Sequence, residues 1–167
     1  MKIIFQTLLS RKLIRQSRRN KTSSTNYNMH FDPNNKIIQL CAKGMEMEAK
    51  QPDEAKALFL QAWNEAANDF EKFTAAHYVA RHQTSAADKL QWDKTALALA
   101  LKIDDDNMKT NYPSLYLNIA KCYEDLKDFD NAKLNYETAL SYENNLPENG
   151  YGQIIKSGIR NGIARVS

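Results

Sequence analysis

The side chains able to do chemistry are few and scattered. Three histidines occur, His30, His77 and His82. His77 and His82 stand five positions apart, about 140° around a helix, so they do not share a metal as an i, i+4 pair would. Cys41 and Cys122 have no CxxC spacing and no Cys/His cluster beside them. They read as two small buried hydrophobes of a reducing compartment. Asp104-Asp105-Asp106-Asn107 opens like a calcium loop, but Lys109 fills the sixth position, where such loops need glycine. No bidentate glutamate follows at the twelfth, and the segment reads as a solvated connector. Gly-rich phosphate loops, GxSxG and HExxH are absent; the five glycines are Gly44 and four in the last eighteen residues. The expectation is no catalytic residue, no metal and no cofactor. One mixed group stands out: Phe70, Phe73, His77 and Arg81 follow a 3-4-4 spacing on one helix face, while Ala75, Ala76 and Val79 line another.

The elements that would carry these residues are helical throughout. From Asn34 onward apolar residues recur at three- and four-residue spacing and never alternate strictly. The pattern predicts about seven helices. The first runs from Asn34 to Ala49, and the second opens on Pro52, whose missing N–H costs nothing at a first helical position. Asn68 with Glu71 forms a capping pair for a third helix, Asp69–Gln83. Ser85 with Asp88 does the same for a fourth that continues through Leu101. Pro113 opens the fifth, Lys127-Asp128 turns, and the sixth runs from Phe129 to Tyr142. The seventh, Asn149 to Ala164, places Ile154, Ile155, Ile159 and Ile163 inward and Lys156 and Arg160 outward. Short turns between such helices make antiparallel neighbours.

Laid over one another, the even-numbered helices repeat. Ala55-x3-Phe59-x2-Ala62 aligns with Asp88-x3-Trp92-x2-Thr95 and with Ala132-x3-Tyr136-x2-Ala139. The first interval is close to the period of stacked helix–turn–helix units; the second carries about ten extra residues. Tyr116, Ile119, Ala120, Tyr123, Ala132, Tyr136 and Ala139 fall at the spacing of a tetratricopeptide repeat, and residues 113–147 resemble that family well, with Pro147 about three positions late. Residues 36–66, through Leu40, Gly44 and Met47, are a degenerate copy, and 69–102 a weaker one. The resemblance implies a short superhelix of antiparallel hairpins, closed by the last helix as a solvating cap.

In that family the first helix of each hairpin lines a concave groove that binds peptides or partner proteins. Carried over position by position, the groove residues are Phe70, Phe73, His77 and Arg81 of the second repeat with Leu117, Asn118, Lys121 and Asp125 of the third. Arg81, Asn118 and Lys121 are donors suited to a carboxylate or an acidic peptide, over Phe73 as an apolar floor. The implied function is a non-catalytic protein–protein interaction scaffold. The full donor set of the carboxylate-binding members is not reproduced, because Cys41, Phe73 and Thr74 stand at several of its places.

Charge divides the chain. Residues 1–28 hold seven basic and no acidic residues, leaving 29–167 with 16 basic and 20 acidic residues out of a net charge of +3. The tail reads as a basic flexible extension upstream of Met29, with Thr22–Asn26 as a polar link; a mitochondrial presequence and an arm for RNA or anionic lipid are the other readings. The body, 29–167, is expected to be one helical domain of mildly negative charge, cytoplasmic unless the tail directs it to mitochondria. No stretch approaches the roughly 20 apolar residues of a membrane span. The alternative function is an RNA-associated protein. The stretch from Ala62–Ala66 through His77–His82 resembles chains named as ribosomal RNA adenine methyltransferases, yet the strand and Gly-rich turn that hold S-adenosylmethionine have no counterpart in the sequence.

Overall fold

The computed structural model describes residues 32–167, so the basic tail, Met29 and His30 lie outside the described residues. Among the described residues there are seven α-helices and no strand. They are α1 (Lys36–Met47), α2 (Pro52–Glu65), α3 (Asp69–Arg81), α4 (Ala86–Ala100), α5 (Tyr112–Asp125), α6 (Phe129–Ser141) and α7 (Gly150–Val166). Short 3-10 turns occupy Asp106–Thr110 and Glu143–Asn145. The all-α expectation holds, and no helix is long and apolar enough to cross a membrane.

Local side chains explain where the helices start. Asn35 caps α1 by accepting from the N–H groups of Ile37 (2.8 Å) and Ile38 (3.2 Å). Its amide nitrogen also donates to Glu71 at 2.7 Å, which ties the start of α1 to that of α3. The expected capping pair forms at α3, with Ala67 added to it. Asn68 accepts from the Glu71 N–H at 2.9 Å, and the Glu71 carboxylate accepts from the backbone N–H of Ala67 at 2.7 Å and also from that of Asn68. At α4 the Ser85 hydroxyl accepts from Asp88 N–H at 3.0 Å and donates to the Asp88 carboxylate at 2.7 Å. Pro52 is the first residue of α2, as expected, while Pro113 is the second of α5. Between α5 and α6, Lys127 takes a left-handed conformation (φ 66°) where glycine is the usual choice, and Asp128 then caps α6 through Asn131 N–H.

The described residues form two compact units, 32–78 and Val79–Ser167. In the first, α1 and α2 pack as a hairpin. Gly44 of α1 faces the fully buried Phe59 ring, and a Cβ at Gly44 would stand 2.5 Å from it. The opposite side of that ring stacks on Tyr78, centroid to centroid 5.0 Å at 13°. Ile37, Ile38, Cys41, Met45, Ala55 and Ala62 complete this core.

In the second unit α4 packs on α5, α5 on α6, and α7 on both α5 and α6. Leu90, Ile119 and Cys122 fill the α4–α5 contact. Ala120, Ala132 and Tyr136 fill the α5–α6 contact, covered by Ile163 and Val166 of α7. Ile155 and Ile159 are buried as expected; Ile154 and Ile163 are half-buried, and Arg160 is exposed. Four glycines in the seventeen residues of α7 make it a poor helix on its own, since each interior glycine costs about 1 kcal/mol against alanine. Packing demands two of them, Gly162 against the Tyr136 ring and Gly152 against the Pro147 carbonyl, while Gly158 makes a tighter than usual fit on Leu117.

Burial corrects the alignment of α4. Ala55, Phe59 and Ala62 are fully buried, as are Ala132, Tyr136 and Ala139, but Asp88 is exposed and Trp92 and Thr95 only half-buried. The fully buried residues of α4 at the matching spacing are Asp93 and Ala96, with Lys89 in the first position. The register moves by one because the turn before α4 is one residue longer: Ala76 to Asp93 spans one residue more than Ala120 to Tyr136.

Gly44→Ala tests the hairpin contact. Helix propensity alone would favour alanine by about 1 kcal/mol, whereas displacing a locked ring costs about 1–3 kcal/mol. Urea unfolding should show a net loss of stability; a gain would mean that the Phe59 ring is not confined.

Candidate functional site

The eight residues expected to line a groove fall in both units and differ in what they present. Phe70 and Phe73 are each only 8% exposed. They join His77 and Tyr78 in a row of rings along α3, with centroid separations of 6.2 Å, 6.5 Å and 5.5 Å in turn. Phe73 is thus packed among its neighbours, and His77, one turn on, is half-buried. In the second unit Arg81 ends α3 half-exposed. Leu117 packs beside Ala120, Ala132 and Tyr136, 3.2 Å from where a Cβ on Gly158 would lie, so α7 covers part of it. Asn118 is half-exposed. Lys121 pairs with Asp125 at 2.5 Å and with Glu124 at 3.4 Å, so two of the predicted residues satisfy each other.

Two polar clusters in the second unit escape any reading of family positions. The first joins α5, α6 and α7. The Tyr136 hydroxyl, at the tip of a fully buried ring, donates to Glu124 at 2.6 Å. Arg165 grips the same carboxylate with two bonds of 2.9 Å and reaches the Tyr136 oxygen at 3.3 Å. Bidentate guanidinium–carboxylate contact is strong and directional. Hydrogen bonds from Arg165 and Tyr136 outweigh burial and hold the Glu124 carboxyl down at about 2. Burial and the Glu124 charge push the Tyr136 phenol up.

The second cluster is sealed. Asp93 has no exposed surface, pairs with Lys89 one turn earlier, and accepts from the Cys122 thiol at 3.6 Å. Its other oxygen has no hydrogen-bond partner. Burial pushes the Asp93 carboxyl up, and the Lys89 ammonium opposes that shift. Burial also lifts the thiols, Cys122 to about 11 and Cys41 to about 12, which keeps both protonated and poor nucleophiles. The signal for this cluster was present in the sequence as a Lys/Asp pair at i, i+4, but such a pair ordinarily marks a solvated face.

Elsewhere a shallow depression of about 250 Å³ opens on α1 and α2, lined by Lys43, Met47, Glu54, Ala57, Leu58 and Gln61. Leu126, Phe129 and Leu134 of the α5–α6 hairpin stand exposed. Among the described residues no three His, Cys, Asp or Glu side chains converge as metal ligands. No protein-family model, curated protein or solved structure matches the chain.

Two measurements follow from these clusters. Glu124 has a folded-state pKa below its ordinary 4.5, so the stability it contributes is present above that pH and is lost as pH falls through about 2. The melting temperature should therefore fall more steeply on acidification in the wild type than in Glu124→Gln; parallel curves would contradict the assignment. At the sealed pair, Lys89→Met strands a buried carboxylate and should cost about 3 kcal/mol. Adding Asp93→Leu removes the stranded charge and should bring chemical-denaturation stability back to within about 1 kcal/mol of the wild type.

Proposed function

We propose that this chain is a non-catalytic interaction scaffold of the tetratricopeptide kind, whose first-of-hairpin helices hold a peptide or partner protein. The observation that carries the reading is the recurrence of one packing unit. A small residue faces a fully buried aromatic ring in the α1–α2 hairpin (Gly44, Phe59) and again in the α5–α6 hairpin (Ala120, Tyr136). Repeated hairpins of this sort bury one side of each helix and leave the other side free to vary with a partner. In the second unit the side available is polar: Arg81, Asn118 and Lys121 are all at least partly exposed. A partner segment rich in carboxylates suits those groups, and Lys121 would exchange its Asp125 partner for one on the ligand.

The test compares partners captured by the full chain and by an Arg81→Gln, Lys121→Gln double variant, quantified by mass spectrometry. Glutamine keeps the helix and removes the charge without setting a new carboxylate beside Glu124 and Asp125. Partners bound through this face should fall at least about tenfold, the change expected when charged hydrogen bonds worth about 1.5–3 kcal/mol are removed. An unchanged partner list rejects the groove.

A further inference from the structure

The docking of α7 combines the glycine-against-ring contact seen between α1 and α2 with charge pairs along the helix. Ile155 and Ile159 are fully buried, and close backbone approach and terminal charge add to them. Gly162 rests on the Tyr136 ring, where any Cβ would overlap ring carbons, and Gly158 meets Leu117. Three residues after Gly162, Arg165 closes on Glu124 and the Tyr136 hydroxyl. Arg160 with Glu143 (2.8 Å) and Lys156 with Glu148 (2.9 Å) hold the side of the helix nearer its start. Its outer positions, Gln153, Ser157 and Asn161, are exposed and polar. The glycines that permit this seat also weaken the helix once it is off the seat. Removing α7 would uncover a phenol oxygen and a carboxylate side by side over an aromatic ring, an arrangement that selects a guanidinium.

We propose that the α5–α6 surface bearing Glu124 and Tyr136 is a receptor for a helix carrying Gly-x-x-Arg, and that α7 is its built-in occupant. On this account α7 undocks and unfolds as a unit while α5 and α6 stay folded, and it competes for the seat with any second helix of the same pattern, including α7 of another copy.

Hydrogen exchange on the full-length wild-type protein tests the first half without any variant. Interior amides of α7, Ile155 to Gly162, should exchange at least about tenfold faster than the central amides of α5 and α6. Exchange of all three helices at one common rate would overturn the proposal. For the second half, a fluorescent peptide spanning residues 148–167 is titrated with the full-length chain carrying Arg165→Ala, which loosens its own α7. Saturable binding is expected, weaker by about tenfold when the peptide itself carries Arg165→Ala or Gly162→Leu. Equal binding of the three peptides, or none, would overturn it.

Discussion

An aromatic ring can lie flat against a helix only where that helix has almost no side chain, and this steric condition organises the described structure. Phe59 meets it at Gly44, and Tyr136, clustered with Ala120 of α5, meets it at Gly162 of α7. Each ring is fully buried, so the helix spacing around it is set by the ring's thickness. Fixing Tyr136 in this way also fixes the direction of its hydroxyl. That hydroxyl sets the place of the Glu124 carboxylate, and the carboxylate in turn anchors Arg165 at the far end of α7. One packing constraint therefore propagates into the electrostatics of three helices.

The helices themselves were legible because caps and periodicity agree. Asn35, Ser85, Asp128 and Asn149 accept from the backbone where a residue of that type preceding an apolar run predicts it. The register of α4 was not legible, for a definite reason. The aromatic place is held by Asp93 and the small-residue place by Lys89, while Trp92 and Thr95 next door imitate the expected pattern. A pattern read by hydrophobicity slides toward the tryptophan; burial corrects it. The candidate groove was legible only as a list of positions. Lys121 and Asp125 at i, i+4 are seen to pair, and Phe73 is drawn into a row of rings. Those outcomes depend on neighbours in space, which spacing along the chain does not rank.

The ionisable groups of the described body divide into sealed and displayed. Asp93, Cys41 and Cys122 are withdrawn from water, and burial holds them in the protonated direction. Glu124 is held ionised by Arg165 and Tyr136. Arg81 and Lys121, by contrast, are partly exposed.

Near-copies of one hairpin within a single chain raise a problem of identity during folding: α2, α4 and α6 share spacing, and each is in principle a candidate for the others' berths. The Lys89–Asp93 pair, with its carboxylate fully buried, breaks that equivalence. Seating α4 where α2 belongs would strand a carboxylate against Gly44, and seating α2 or α6 in its place would leave the Cys122 thiol facing a ring instead of an acceptor. Losing one partner of such a pair is costlier than losing both, so the contact constrains which residue can face Cys122.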